Sequence, residues 1–549
     1  MKYTLPELYN YSFAHYADLL SLGFIGEDSY SYAELEKEVD SVIDLLEQQG
    51  IQKGDKVAIL SNSMPNWGIS FFAMNFMGVI AVPILPDFHT SEIANILKHA
   101  ECKGLFVSKN LYHKVKTFDS KVLKFRILVD NFNEIKTGED VEEVAVRFKN
   151  PGLKNQSKDK YKVQENDIAS IIYTSGTTGS SKGVMLSHKN IAYNAYHCKS
   201  IYQVKSTDIL LSILPLSHSY ENTIGLILPV INGASVKYTK SPPTPTVLMA
   251  ALQEVKPTVM LAVPLIIEKI YKGKILPEIN SKAITKALYK FAPTRKLLNK
   301  IAGKKLHQSF GGKLEFFGLG GAKVSAPVES FMKEANFPYA VGYGLTETAP
   351  MLCGTTPFNS EFQSTGVPME GVEIRINEPD PLSGEGEVWA KGPNVMLGYY
   401  KEPELTKQVI TADGWFKTGD LGIIDEKGNL HIRGRIKNMI VGSSGENIYP
   451  EEIENVINTY PYVLESLVIE RKGKLVAMVH LNKEELEKKF HELKEKKDEM
   501  EARLEEMLKE IQLQVNATVN KFSQLQLVTL QTTPFERTPT QKVKRFLYS

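Results

Sequence analysis

The sequence predicts an α/β protein in two parts. A large amino-terminal unit carries α/β sheets and a β-rich portion, and a small α+β unit follows it. Three observations carry this. The chain has 549 residues, beyond the roughly 250–300 at which a single core stops growing. Its first half alternates helical with strand patterns, the signature of a parallel sheet covered by helices. Near Val372, and again after Ile436, the texture changes.

Ser31 and Glu34 make a capping box, and Leu35, Val39, Val42, Ile43 and Leu46 supply the helical stripe behind it, with Gly50 as the stop. Strands are expected at Lys56–Leu60, 79–85 and Gly104–Val107. The most apolar stretch, 69–85, contains Asn75, Gly78 and Pro83. It fits a buried helix running into a strand better than a membrane span. From 372 onward VEIRI, GEVWAKG and HIRGR read as short strands joined by glycine turns. The large unit is therefore placed at 1–435, its β-rich portion at about 365–435, and the small unit at 436–549. The small unit shows a helix starting near Pro450, strands at 467–470 and 476–481, and a Glu/Lys-rich stretch at 483–514 with apolar residues at helical spacing. That stretch reads as amphipathic helix packed on the small unit with a solvated outer face.

Lys and Arg total 65 against 64 Asp and Glu, so there is no global basic field to hold a nucleic acid or an anionic membrane. Cys102, Cys198 and Cys353 are odd in number and in no metal-ligand spacing, which points to buried thiols in a reducing compartment. The amino terminus shows no signal-peptide pattern, and a soluble, cytoplasmic protein is expected, with peripheral membrane contact left open.

Residues 173–183, YTSGTTGSSKG, follow the strand-like run IASII. Gly176, Gly179 and Gly183 let backbone amides approach a polyphosphate closely. Ser175, Thr177 and Thr178 add hydroxyl donors and Lys182 a positive charge. The spacing is not that of GxxxxGK(S/T), and no GxGxxG marks a dinucleotide fold. Further along stand LPLSHSY (214–220), GLGGA (318–322), GYGLTET (342–348), GWFKTGD (414–420), HIRGRIKNMI (431–440), GSSGENIYPEEIE (442–454) and PTQKVKR (539–545).

This ordered set resembles the adenylate-forming (AMP-binding) superfamily over nearly the whole chain. The resemblance implies the fold of that superfamily, with a mobile small domain turning about Lys437. It implies that Thr174, Ser175, Gly176, Thr177, Thr178, Gly179 and Lys182 hold ATP phosphates. Thr346 would meet the α-phosphate, and Glu347, with Thr174, would hold Mg²⁺. Tyr343 would stack on adenine, and Gly320, Gly321 and Ala322 would line the adenine and acyl pocket. Asp420 would accept from the ribose hydroxyls, and Arg435 would reach ribose and phosphate. His218 would lie beside the acyl carboxylate. Lys542 would enter the site for adenylation, its segment having Gln541 where many members have Gly. Gly445, Glu446 and Asn447 would line a coenzyme A tunnel. The stretch 252–271, LQEVKPTVMLAVPLIIEKIY, is similar to the long-chain fatty acid–CoA ligase branch, although Leu265 stands where many members have Arg. The implied activity joins a fatty acid to coenzyme A through acyl-AMP. An acyl-AMP ligase that loads an acyl-carrier protein is the alternative.

Overall fold

Ser31 opens the first long helix, Tyr32–Gln48, by the predicted reciprocal cap. Its hydroxyl accepts from the Glu34 amide (3.1 Å) and the Glu34 carboxylate accepts from the Ser31 amide (2.8 Å). The apolar stripe of that helix packs on Pro65–Met77, which is buried on nearly every face and so is apolar all round. Gly78, in the left-handed conformation, ends this helix and leads into strand Ile80–Ile84. The computed structural model describes residues 2–139, 141, 160–175, 181–442, 447–482, 486, 497–538 and 543–548.

Two large sheets form the amino-terminal part. One has seven strands, ordered Gly398–Tyr399, Ser181–Ser187, Ile168–Ser175, Ile80–Ile84, Lys56–Leu60, Gly104–Val107 and Phe125–Leu128. The other has eight, ordered Leu22–Phe24, Ser235–Tyr238, Ile209–Ser212, Val259–Ala262, Phe316–Leu319, Tyr339–Gly344, Met351–Gly354 and Val367–Pro368. Most neighbours are parallel, as expected from the alternation of helix and strand. One of the antiparallel exceptions matters for the site. Ile168–Ser175 and Ser181–Ser187 are antiparallel, with Thr174 opposite Lys182. The stretch 173–183, whose glycines and hydroxyls suggest a phosphate-binding loop, is thus two strand ends around a shorter connection. Neighbouring strands joined so closely pair antiparallel, because a parallel return needs a long crossover.

A four-stranded antiparallel sheet follows, from Glu373–Asn377 through Gly386–Lys391 and Phe416–Ile424 to Leu430–Arg435. It matches the change of texture at Val372. After the turn Ile436–Asn438 come a short ladder, the helix Pro450–Ile457 and a three-stranded sheet of Val463–Arg471, Lys474–Leu481 and Leu527–Gln531. Helix Lys497–Thr518 buries Ile511 and Val515 against this sheet, as its spacing predicts. The remainder of the charged stretch, 483–485 and 487–496, lies outside the described residues.

All three cysteines are buried and free. Burial pushes the Cys102 thiol up to about 12, so these thiols behave as small apolar side chains. Among the described residues no helix is long and apolar enough to cross a membrane.

Candidate active site

The centre of the site is built by strand register. Asp420 on Phe416–Ile424 lies opposite Arg435 on Leu430–Arg435, and Arg435 Nε meets Asp420 Oδ1 at 2.9 Å. Tyr343, at the end of Tyr339–Gly344, donates its hydroxyl to Asp420 Oδ2 at 2.7 Å. Both carboxylate oxygens of this buried aspartate are therefore engaged. Burial, and then the negative Asp420, hold the Tyr343 phenol well above its ordinary range. Burial works against the Arg435 charge, yet Asp420, Tyr343 and Glu347 outweigh it and the guanidinium is held protonated.

The same aspartate needs a turn of unusual backbone. Gly419 is left-handed (φ +71°), which fits glycine at the second-last place of GWFKTGD. The turn is pinned by Thr418, whose hydroxyl donates to Val388 O (2.7 Å) and accepts from the Asp420 amide (3.1 Å).

Thr346 and Glu347 sit in a single 3₁₀ turn, Thr346–Thr348. Gly344 just before it has no room for a side chain, since a Cβ there would stand 1.8 Å from Pro350 O. Two buried asparagines fix the turn from outside. Asn194 and Asn394 each donate to the carbonyls of Thr348 and Met351, at 2.8–3.2 Å. Glu347 accepts from the Tyr399 hydroxyl at 2.9 Å, and its carbonyl accepts from the Met396 amide at 2.8 Å. Lys182 Nζ lies 5.4 Å from the Tyr399 ring centroid, and Tyr399 pairs with Val184 on the strand that carries Lys182. Burial, then Glu347, raise the Tyr399 phenol far above its usual value. Lys182, Tyr399, Glu347, Arg435, Asp420 and Tyr343 thus form one continuous charged and aromatic line.

The glycine-rich segment 318–322 closes another side. Gly318 and Gly320 pack against Tyr220, whose ring would be 3.1 Å from a Cβ at Gly320. Gly321 and Ala322 are exposed at the end of the strand. Half-buried His218 joins this segment through Tyr220, whose amide approaches His218 Nδ1 at 3.3 Å. Behind it Glu221 is fully buried, accepts from Ser212 Oγ at 2.6 Å, and is pushed up to about 8 by burial.

The carboxy-terminal part supplies the remaining candidates. Lys437 is exposed in the turn Ile436–Asn438. Asn447 pairs with Val441 in a short ladder. Lys542, Gly176, Thr177, Thr178, Gly179, Gly445 and Glu446 lie outside the described residues, as does the side chain of Ser175. The two flanks of Lys542 are described and firmly held. Arg537 and Val543 bridge antiparallel, and the Lys544 amide donates to Glu536 O at 2.8 Å. Arg537 pairs with Glu465, and Arg545 pairs with Glu454 while also donating to Val468 O at 3.1 Å. Burial raises Glu454 to about 7 even though Arg545 pulls it down.

The sequence pattern of the AMP-binding enzyme family matches residues 13–400. This chain belongs to that family. Among curated relatives of this AMP-binding enzyme, a long chain acyl-CoA synthetase 1 of Arabidopsis thaliana is 31% identical over 92% of this chain and 83% of its own. A chloroplastic long-chain-fatty-acid–acyl-carrier-protein ligase of the same plant is 27% identical over 88% and 77%. A long-chain-fatty-acid–CoA ligase 1 of Cavia porcellus is 29% identical over 78% and 65%. Among solved structures, ATP-bound MatB from Rhodopseudomonas palustris superposes with TM-score 0.75 at 24% identity, over 100% of this chain and 98% of that one. The o-succinylbenzoate CoA synthetase of Bacillus subtilis with its acyl-adenylate gives 0.74 at 22%, over 99% and 98%. At these identities the structural matches establish the fold, which is the one the sequence predicted.

Sequence reasoning missed Tyr399, Asn194, Asn394, Tyr220 and the two arginine–carboxylate pairs. Only GYY at 398–400, close to GPN at 392–394, offered a local signal. The asparagines meet the Thr346–Thr348 turn from more than forty positions away in the chain, and no periodicity reports such contacts.

Proposed function

We propose that this enzyme activates a long-chain fatty acid with ATP as acyl-AMP and then transfers the acyl group to coenzyme A. The observation that carries the reading is the line from Lys182 through Tyr399, Glu347, Arg435 and Asp420 to Tyr343, made of the residue types a nucleoside triphosphate needs. Similarity to long chain acyl-CoA synthetases supports the acid and the acceptor.

In the first half-reaction a fatty carboxylate oxygen attacks the α-phosphorus, the bond to the bridging oxygen breaks, and pyrophosphate leaves. Two anions must meet. Lys182 and Arg435 set fixed positive charge beside the triphosphate, and Lys542 adds a third at the reacting oxygens. Thr346 hydrogen-bonds the α-phosphate. Asp420 orients the ribose through the oxygens that Tyr343 and Arg435 hold in place, and the Tyr343 ring packs on adenine. Gly320, Gly321 and Ala322 leave room for the adenine and acyl groups, with His218 beside the acyl carboxylate.

The donor set fits Mg²⁺. Among the described residues no group of three His, Cys, Asp or Glu could hold a metal alone, whereas Mg²⁺ binds through one or two carboxylates plus substrate phosphates and water. Glu347 and Thr174 would hold it, and the ion would neutralise phosphate charge. In the second half-reaction the domain of 436–549 turns about Lys437, withdraws Lys542, and presents Gly445, Glu446 and Asn447 to coenzyme A. The thiolate attacks the acyl carbon and AMP leaves. A cytoplasmic, reducing setting suits the three free thiols.

Loading of an acyl-carrier protein is the second reading, favoured by the carrier-protein ligase among the relatives. The two are separated by offering purified enzyme, Mg·ATP and acids from acetate to oleate either coenzyme A or a phosphopantetheinylated carrier protein, with products read by mass. Multiple turnovers to acyl-CoA with long acids support the proposal. Acyl-carrier product with no acyl-CoA replaces it by the second reading.

A further inference from the structure

Between 281 and 310 the chain has eight Lys and Arg and no Asp or Glu. Against a net charge of +1 for the whole protein, this is a strong local concentration. The segment folds as the helices Ala283–Leu288 and Ala292–Ser309, tied together by Tyr289 Oη donating to Asn299 Oδ1 at 3.0 Å.

The long helix has two different faces. Asn299, Gly303 and Leu306 are buried, and Gly303 sits so close to Ala335 that an added Cβ would come within 2.5 Å. The opposite face carries Leu297 (59% exposed) and Ile301 (51%), one helical turn apart, among exposed Lys296, Lys300 and Lys304. The neighbouring short helix adds Ile284 (73%) and Leu288, and Phe291 (66%) stands at the junction. Among the described residues, Arg295 pairs with Glu334 and Lys305 with Glu278, while Lys296, Lys300 and Lys304 enter no ion pair.

Large aliphatic and aromatic side chains in water, ringed by unpaired ammonium groups, are the opposite of what a solvated helix face needs. They fit one environment well. A helix lying in the interface of an anionic bilayer puts its apolar residues among the acyl chains and its lysines at the headgroups. We propose that 282–304 is a docking face for an anionic lipid bilayer. Leu297, Ile301 and Phe291 insert, and Lys296, Lys300 and Lys304 meet the headgroups. Charge complementarity commits the face to this occupant. A nucleic acid would use the lysines but leave the aliphatic side chains without a role.

The face lies in the chain between the stretch 252–271 and strand Phe316–Leu319, which leads into 318–322. Leu306 and Phe310, at the end of the same helix, pack with Phe317 and Leu319 in one core. Docking there would set the acyl side that the proposed function gives the enzyme against the phase that stores long acids. The inference does not depend on that reading, because binding is measured without turnover.

The test is co-sedimentation of the full-length protein with phosphatidylcholine vesicles, with and without phosphatidylglycerol, across a salt series. The wild type is expected on the anionic vesicles alone, with binding weakening as salt rises. Lys296→Gln, Lys300→Gln and Lys304→Gln together should weaken binding roughly a hundredfold, at about fivefold per lysine. Leu297→Ser with Ile301→Ser should release the protein with its charges intact. Both variants should keep the wild-type melting temperature and wild-type activity on a dissolved acid, since the substituted side chains are exposed. The proposal is overturned if the wild type ignores phosphatidylglycerol, or if either variant binds vesicles as the wild type does. It is also overturned if the serine variant changes oligomeric mass while the wild type never sediments, which would make the face a contact between copies. Competition of vesicle binding by RNA with no effect of the serine variant would overturn it in favour of nucleic acid.

Discussion

The nucleotide side of the site and the flanks of Lys542 are fastened in opposite ways. Asp420 and Arg435 are set by adjacent strands, one residue opposite the other, Tyr343 reaches Asp420 from a strand of another sheet, and the Thr346–Thr348 turn is pinned by two buried asparagines. The segment around Lys542 closes on itself through the Arg537–Val543 bridge and is held to the rest of 436–549 by Arg537 to Glu465 and Arg545 to Glu454, two pairs that join residues far apart in the chain. Backbone ladders cannot be released without unfolding. In the proposed mechanism, ion pairs confined to 436–549 would let that part carry Lys542 as a rigid body. A site of two half-reactions needs both kinds of fastening: a fixed grip on the nucleotide and a movable charge.

Four changes sharpen or break that contrast, and the first three are ordered by expected effect on turnover. Lys542→Ala should slow acyl-AMP formation by roughly 10²–10³, the scale of losing one oriented charge in the transition state. Thioester formation from supplied acyl-AMP should stay within a few-fold. Equal losses in stopped-flow assays of the two half-reactions would end the idea of a movable charge. Asp420→Asn should raise the KM for ATP by about ten- to a hundredfold, because a charged hydrogen bond contributes about 1.5–3 kcal/mol. It should leave the acid KM unchanged, which steady-state kinetics will show.

Arg545→Ala should cut adenylation about tenfold, a loss of about 1.4 kcal/mol in barrier, while sparing the second half-reaction. The same two half-reaction assays report it, and Arg545→Lys should restore part of the rate. The fourth change acts on stability. Glu221 is raised from 4.5 to about 8 by burial. Its folded form prefers the proton, so the stability it contributes is intact below pH 4.5 and is lost as pH rises through about 8. Glu221→Gln has no such loss. Its melting temperature should gain on the wild type steadily between pH 5 and 8 by about a few degrees, measured by scanning calorimetry. A constant offset would mean that Glu221 is not neutral in the fold.

Much of this was legible in the sequence, for definite reasons. The Ser31–Glu34 cap, the 69–85 helix-to-strand run and the strands after Val372 rest on local periodicity and turn chemistry, and each forms where expected. The motifs GYGLTET and TGD announced Tyr343 and Asp420 because they hold their chemistry within a few residues. What joins the motifs was not legible. Tyr399 reaches Glu347 across fifty-two positions and Asn194 reaches Met351 across one hundred and fifty-seven. The antiparallel return of Ser181–Ser187 was hidden by glycines and serines that read equally well as loop. The clamp at Arg537 and Arg545 left no signal in the sequence, since a solvated basic segment and a paired one have the same letters.

The most direct test is isotope exchange between pyrophosphate and ATP with purified enzyme, Mg²⁺ and oleate, in the absence of coenzyme A. The account predicts acid-dependent exchange that Lys542→Ala abolishes. Exchange that requires coenzyme A, or a reaction that releases ADP and phosphate, would contradict the acyl-adenylate on which the whole account rests.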